Sequence, residues 1–280
     1  MFVTSTWLAE QIRSGNKRIR PMDCRFDLAD STAGHKLYMN GHISGACFFD
    51  LEQDLSSPIQ QHGGRHPLPE IANFKEKLEQ FGIRNDDILV AYDGGQYAFA
   101  SRFAWMMKYV GHEEVYLLNG GFPDWVIHGF PMTKDVPQYE KSVYQITLHT
   151  EILTSYEKVK EISLGKNSDV ILIDSRERNR YLGLEEPIDK KAGHIPHAKN
   201  CPFTEGIENG FFLSKEKQEA RFSKWRKDQP IVVYCGSGVT ATPNYFALKA
   251  AGYQHVSVYI GSFSDWISYE ENAVVTKESE

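Results

Sequence analysis

Cys235 is the residue with the clearest chemical potential. It follows the apolar, β-branched run Ile231-Val232-Val233-Tyr234 and precedes the loop Gly236-Ser237-Gly238-Val239-Thr240-Ala241. After the loop, an Ala/Leu/Phe-bearing segment ends at Gly252. The apolar run reads as a buried strand and the later segment as a helix, so the cysteine sits at a strand-to-helix turn. Loop amides and the positive end of a helix dipole stabilise a thiolate there, and the same amides suit a persulfide or a bound oxyanion. Glycines allow several N–H groups to converge on one sulfur. A buried structural cysteine beside an ordinary turn is the competing reading.

Two sharper alternatives fail on the same letters. A cysteine phosphatase needs an arginine six residues after the nucleophile, because the guanidinium fork matches phosphoryl oxygens. Ala241 stands there. Gly236-Ser-Gly238-Val-Thr-Ala241 formally fits a dinucleotide fingerprint, but the next apolar run, Val256 to Ile260, ends without a ribose-binding acid, and too little chain follows for a mononucleotide-binding half.

The remaining cysteines, at 24, 47 and 201, form no CxxC pair and no metal-ligand spacing with Cys235. No metal site, no cofactor and no disulfide framework is expected, and reduced thiols in a cytoplasmic protein are the default. Cys24, Cys47 and Cys201 read as small packing residues. The formal net charge of −6 over 280 residues carries no long single-sign block, which disfavours nucleic acid and anionic membrane as partners. No apolar run approaches the roughly 20 residues of a membrane span, and the start, Met1-Phe2-Val3-Thr4, lacks a basic flank before a long apolar core.

The elements that must position Cys235 occur twice. Asp23-Cys-Arg25 with Gly41-His42-Ile43 returns as Asp174-Ser-Arg176 with Gly193-His194-Ile195. Ile88-Leu-Val-Ala-Tyr92-Asp93-Gly94-Gly95 returns as Ile231-Val-Val-Tyr234-Cys235-Gly236, and Val115 to Trp125 returns as Val256 to Trp266, ending in Asp-Trp each time. Two homologous α/β domains follow. Each has a strand running into Asp23 or Asp174, a helix before Gly82 or around Phe222 to Trp225, and then the strand-loop-helix. Such alternation predicts a mainly parallel sheet with helices on both faces. The expected boundaries are 1–133 for the first domain, 134–155 for a linker and 156–280 for the domain bearing Cys235. In the first domain Asp93 replaces the cysteine, and a carboxylate is no sulfur nucleophile. One site is expected, at the second domain's loop and facing the first domain across a cleft.

With these motifs in place, the chain resembles, over nearly its whole length, the two-domain sulfurtransferases of the rhodanese and 3-mercaptopyruvate sulfurtransferase family. The matching residues are Cys235-Gly-Ser-Gly-Val-Thr-Ala241, the paired Gly-His-Ile motifs, Arg180-Tyr-Leu-Gly183 with Glu186-Pro187, and the two Asp-Trp endings. The resemblance implies two tandem rhodanese-like domains. It also implies that Cys235 takes a sulfane sulfur from a small-molecule donor, forms a persulfide, and passes the sulfur to cyanide, a small thiol or a thioredoxin-like protein thiol. The N–H groups of Gly236, Ser237, Gly238, Val239 and Thr240 would cradle that sulfur, and Arg180 would hold the anionic donor. A persulfide carrier or sensor with slow turnover is the alternative from another class.

The uncharged Gly236-Ser237-Gly238 resembles the mercaptopyruvate-type loop, whereas thiosulfate-using relatives carry basic residues directly after the cysteine. Mercaptopyruvate enzymes also tend to have a second arginine directly after the Glu-Pro pair, and Ile188-Asp189 stands there instead. Mercaptopyruvate is the expected donor and thiosulfate stays open. The family's proton relay maps onto Ser237, His66 and Glu52, the last a longer substitute for the usual aspartate. It would supply the proton that an enolate leaving group needs. His42 and His194 occur in both halves and read as structural, as do Trp125 and Trp266. Asp23 and Asp174 read as loop or arginine partners.

Overall fold

The computed structural model describes residues 1–277 and divides them into two compact units. The first comprises residues 1–57, 68–149 and 209–212, and the second residues 58–67, 150–208 and 213–277. The first unit is built on a five-stranded sheet in the order Phe2–Thr4, Val115–Asn119, Ile88–Tyr92, Ile19–Asp23 and Cys47–Phe48. The second has a four-stranded sheet in the order Val256–Val258, Ile231–Tyr234, Ile171–Asp174 and Lys199–Asn200. Every neighbouring pair in both sheets is parallel, as the β-branched runs alternating with helical patterns require.

Burial of the central strand explains the layering. All four residues of Ile231–Tyr234 are buried, so both faces of the strand must be covered. Val232 and Tyr234 pack with Val159 and Ile162 of the helix Tyr156–Ser163 and with Phe263 and Trp266 of the helix Ser262–Trp266. Ile231 and Val233 alternate to the other face, and the helix Thr242–Ala250 packs on this strand and on Val256–Val258. The first unit repeats the plan, with Val90, Tyr92 and Trp125 in one core.

The repeated motifs do the same work in each unit. Asp23 binds Arg25, and Asp174 binds Arg176, with 2.6 Å contacts in both pairs. His42 stacks on Tyr38 and bonds its carbonyl through Nδ1, and His194 treats Tyr181 likewise. Trp125 and Trp266 lie in the cores.

One helix boundary differs from sequence expectation, and three stretches show which unit they pack with. The helix expected around Phe222 to Trp225 spans Lys215–Phe222, because the Ser214 hydroxyl caps it by accepting the Lys217 N–H. Residues 134–149 run along the first unit, where Tyr139 donates to the Gly45 carbonyl and Tyr144 is buried against His112. Residues 150–154 join the second, where Thr154 donates its N–H to the Val258 carbonyl. Residues 58–67, from the middle of the first expected domain, pack as part of the second unit.

Candidate active site

Cys235 directly follows the strand Ile231–Tyr234 and is held from two sides. Its carbonyl accepts the Phe263 N–H at 2.9 Å, and its own N–H donates to Ser262 Oγ at 3.1 Å. Ser262 adopts φ 57°, a left-handed conformation uncommon for a residue with a side chain, and its Oγ lies 3.9 Å from the Cys235 Sγ. The loop then folds back over the sulfur. Gly238 donates its N–H to Cys235 Sγ at 3.2 Å. It does so at φ +74°, where an added Cβ would lie 2.2 Å from the Ile260 carbonyl oxygen, so glycine is required.

The other loop amides point to an incomplete coordination shell. Gly236, Ser237 and Val239 are buried and Thr240 half-buried, yet among the described residues their N–H groups have no protein acceptor. Buried backbone donors are nearly always paired, so unpaired N–H groups in the loop after Cys235 can donate to an anionic partner. The helix Thr242–Ala250 starts directly behind the loop, with proline in its first turn, and adds the favourable end of its dipole. Asn244 pins that helix by donating to Ser175 Oγ and to the Cys201 carbonyl.

The first unit shows what fills such a shell. Asp93, at the position equivalent to Cys235, is buried and accepts N–H bonds from Gly95, Tyr97, Phe99 and Ala100 at 2.9–3.2 Å. Burial raises its carboxyl above the ordinary value, and the four amides oppose that rise.

Arg180 is half-buried, close to the loop residue Gly236. It forks onto Glu186 at 2.7 Å and reaches Asp189 Oδ2 at 2.9 Å through the same Nη2. Asp189 also pairs with Arg65, a cation that sequence reasoning missed. A Cβ built on Gly236 would lie 3.0 Å from Arg65 Nη2, 3.6 Å from Arg180 Nη2 and 3.6 Å from Asp189 Oδ2. Arg65 thus puts positive charge against the residue after Cys235, although the loop itself carries none. Burial lowers its guanidinium from the ordinary value, with the carboxylate of Glu186 opposing that shift.

The segment bearing Arg65 is docked on the second unit through named contacts. Gly63 N–H donates to Asp265 Oδ1 at 2.7 Å, Arg65 N–H donates to Ser264 Oγ at 3.1 Å, and the His62 ring stacks on Tyr269. Gly64 approaches the Gly261 carbonyl too closely for any side chain. The same segment carries His66, whose Nδ1 lies 2.8 Å from Ser237 Oγ, both residues being buried. Two of the three expected relay residues therefore touch. Glu52, the third, is exposed in the first unit on the turn that Asp50 Oδ1 caps by accepting the Glu52 N–H. A sequence signal for Arg65 existed: a histidine proposed to reach Ser237 carries its immediate neighbour with it.

All four cysteines are unpaired and buried, and burial raises the thiols of Cys24, Cys47 and Cys201. Among the described residues no group of three His, Cys, Asp or Glu side chains is arranged to hold a metal ion, and no helix is long and apolar enough to cross a membrane.

Comparison with known proteins agrees with this architecture. The model of the rhodanese-like domain matches twice, at residues 4–128 and 155–269. A probable 3-mercaptopyruvate sulfurtransferase of Pseudomonas aeruginosa is 40% identical over 261 residues, covering 91% of both chains. The thiosulfate sulfurtransferase of Cricetulus griseus is 37% identical over 276 residues, covering 94% of this chain and 91% of the relative. Among solved structures, the 3-mercaptopyruvate sulfotransferase SseA of Escherichia coli superposes with a TM-score of 0.82 at 30% identity, covering 94% of this chain and 98% of its own. The chain belongs to the rhodanese-like family, as a tandem two-domain sulfurtransferase with a sulfur donor and a sulfur acceptor as its substrates.

Proposed function

We propose that this enzyme moves a sulfane sulfur from 3-mercaptopyruvate to cyanide or a thiol through a persulfide on Cys235. The observation that carries the reading is the loop directly after Cys235, in which Gly238 donates its N–H to the Cys235 Sγ while the N–H groups of Gly236, Ser237, Val239 and Thr240 have no protein acceptor among the described residues. A persulfide on Cys235 extends into that shell, and its outer sulfur, polarised by amides, becomes the electrophile.

The steps balance without a cofactor. The Cys235 thiolate attacks the donor sulfur, an S–S bond forms, and the C–S bond breaks with its electron pair on carbon. The resulting enolate takes up the proton that the donor thiol gives up, leaving pyruvate and a Cys235 persulfide anion. Cyanide then attacks the outer sulfur, giving thiocyanate and restoring the thiolate. Ser237, 2.8 Å from His66, is the proposed carrier of the proton to the enolate, and Glu52 the proposed third member of that relay. Arg180 supplies the cation for the donor carboxylate. The domains at 1–133 and 156–280, with 134–155 between them, are the proposed functional division. The unpaired cysteines suit a reducing cytoplasm, which is the proposed location.

A second donor has one specific observation in its favour. Arg65 stands against Gly236, where thiosulfate-using relatives carry a basic side chain of the loop itself, so thiosulfate is the alternative donor.

The test is steady-state sulfur transfer to cyanide and to thioredoxin, comparing 3-mercaptopyruvate with thiosulfate at equal concentrations, with Cys235→Ser as the blank. A higher kcat/KM for 3-mercaptopyruvate supports the reading, and a higher value for thiosulfate makes the protein functionally a rhodanese. Slow turnover with both donors, alongside a persulfide that forms stoichiometrically, would make it a carrier. Transfer by Cys235→Ser at the wild-type rate would overturn the mechanism.

A further inference from the structure

The two guanidinium groups beside Gly236 are occupied by an anion of the chain itself. Asp189 presents one carboxylate oxygen to Arg65 Nη1 and the other to Arg180 Nη2, the latter at 2.9 Å, and its side chain is only 2% exposed. This is the contact pattern that the carboxylate of a donor would make between two guanidinium groups. All three side chains lie against Gly236, the residue after the cysteine.

The two carboxylates at the site are not held equally. Glu186 is locked by Arg176 at 3.3 Å, by Arg180, and by the N–H groups of Ile188 and Asp189 at 3.1 and 2.9 Å. The Asp189 carboxylate has its two arginines. It sits in a stretch, residues 185–193, without helix or strand, on the wall of a cavity of about 600 Å³ that Arg65, Lys190, Lys191 and Ser264 also line. That cavity gives a displaced Asp189 a place to go and two lysines to meet.

We propose that Arg65 and Arg180 form a two-guanidinium seat for the anionic group of the sulfur donor, and that Asp189 is the resident anion which the donor displaces. Asp189 is therefore a specificity-determining residue. It raises the concentration at which any donor fills the seat, and it favours donors whose anionic group can bridge both arginines over those that engage one. The inference rests on the sulfurtransferase reading above only for the identity of the donor, since occupation of the seat by an anion is measurable without turnover.

Two variants move the seat in opposite directions. Asp189→Asn removes the competing charge, and KM for 3-mercaptopyruvate is expected to fall at least about fivefold; displacing a bidentate charged contact is worth tenfold or more before reorganisation. Arg65→Gln removes one arm, and KM is expected to rise about tenfold or more. Calorimetric titration with pyruvate, a carboxylate probe that needs no sulfur transfer, should follow suit, tightening in Asp189→Asn and weakening in Arg65→Gln. Weaker pyruvate binding or a higher KM in Asp189→Asn would overturn the proposal, because Asp189 would then serve to position the arginines. Unchanged pyruvate binding in Arg65→Gln would overturn it as well. If the wild type transfers no sulfur while the pyruvate affinities shift as stated, the donor reading fails and the seat stands.

Discussion

Replacing Ser237 by alanine separates proton delivery from simple packing. The Ser237 Oγ and His66 Nδ1 are 2.8 Å apart and both residues are buried, so the contact is a well-formed hydrogen bond shielded from water. If it only holds the loop, its loss costs about 0.5–1.5 kcal/mol. At about 1.4 kcal/mol per decade, that is a rate effect of roughly two- to twelvefold on either donor. If it delivers a proton, the loss reaches about 10²- to 10⁴-fold, but only for a donor whose leaving group needs one. 3-Mercaptopyruvate leaves as an enolate and requires protonation at carbon, whereas thiosulfate leaves as sulfite and does not. The expected result for Ser237→Ala is a drop in kcat of about 10²-fold or more with 3-mercaptopyruvate and of no more than about tenfold with thiosulfate. His66→Gln should lose about as much, and the double variant little more, as for residues acting as one unit. The assay is steady-state transfer to saturating cyanide with each donor, so the shared second half-reaction cancels in the ratio. A parallel fall with both donors, or a fall within the packing range for both, would refute proton delivery through Ser237.

Three further outcomes follow from the geometry. Gly238→Ala places a Cβ 2.2 Å from the Ile260 carbonyl oxygen at φ +74°, and should cost at least about 2 kcal/mol in urea unfolding together with most of the activity. Asp93→Ala in the first unit strips four buried N–H groups of their acceptor and should destabilise the protein by about 3 kcal/mol or more, with Asp93→Asn milder because one oxygen still accepts. His112, buried between Tyr144 and the Asp87 carbonyl, has its imidazole lowered by burial from 6.5 to about 4. The neutral form is favoured in the fold, so its contribution is complete above about 6.5 and is lost as the pH falls through about 4. Denaturation midpoints should drop across that window by up to about 3 kcal/mol, and a His112→Asn variant should show a smaller drop.

Much of this was legible because repetition constrained it. Parallel sheets, paired histidines and buried tryptophans appear in both halves, and a feature present in the half whose loop carries Asp93 in place of the cysteine must serve the fold. The strand-loop-helix at Cys235 was legible for another reason: β-branched residues, two loop glycines and an Ala/Leu/Phe helix each have strong local preferences. What escaped was long-range. Nothing in Gly63-Gly64-Arg65 signals that these residues pack with a unit whose main chain begins about 90 residues later, since that choice is made by contacts to Ser264 and Asp265. The helix at Lys215–Phe222 starts well before the apolar pair Phe222 and Trp225 that marks it in the sequence, because its boundary is set by a polar cap at Ser214.

The two units also explain why one position can be acid in one and thiol in the other. In both, the residue directly after the central strand has its carbonyl bonded by an N–H of the following strand-to-helix corner, from Phe122 to Asp93 and from Phe263 to Cys235. The corner residue before that donor takes φ 58° as Gly121 and φ 57° as Ser262. Glycine accepts that backbone without strain, while serine carries a cost of about 1–3 kcal/mol. In return, the Ser262 hydroxyl accepts the Cys235 N–H and approaches its sulfur. In the first unit the carboxylate of Asp93 satisfies four amides from within, leaving that cradle closed to an external anion. In the second, a thiol one bond shorter accepts the Gly238 N–H and leaves its neighbours unpaired. The same backbone therefore yields a carboxylate satisfied from within where aspartate and glycine stand, and a sulfur with free amides beside it where cysteine and serine stand, so these two paired substitutions would account physically for the proposed chemistry at Cys235 having no counterpart at Asp93.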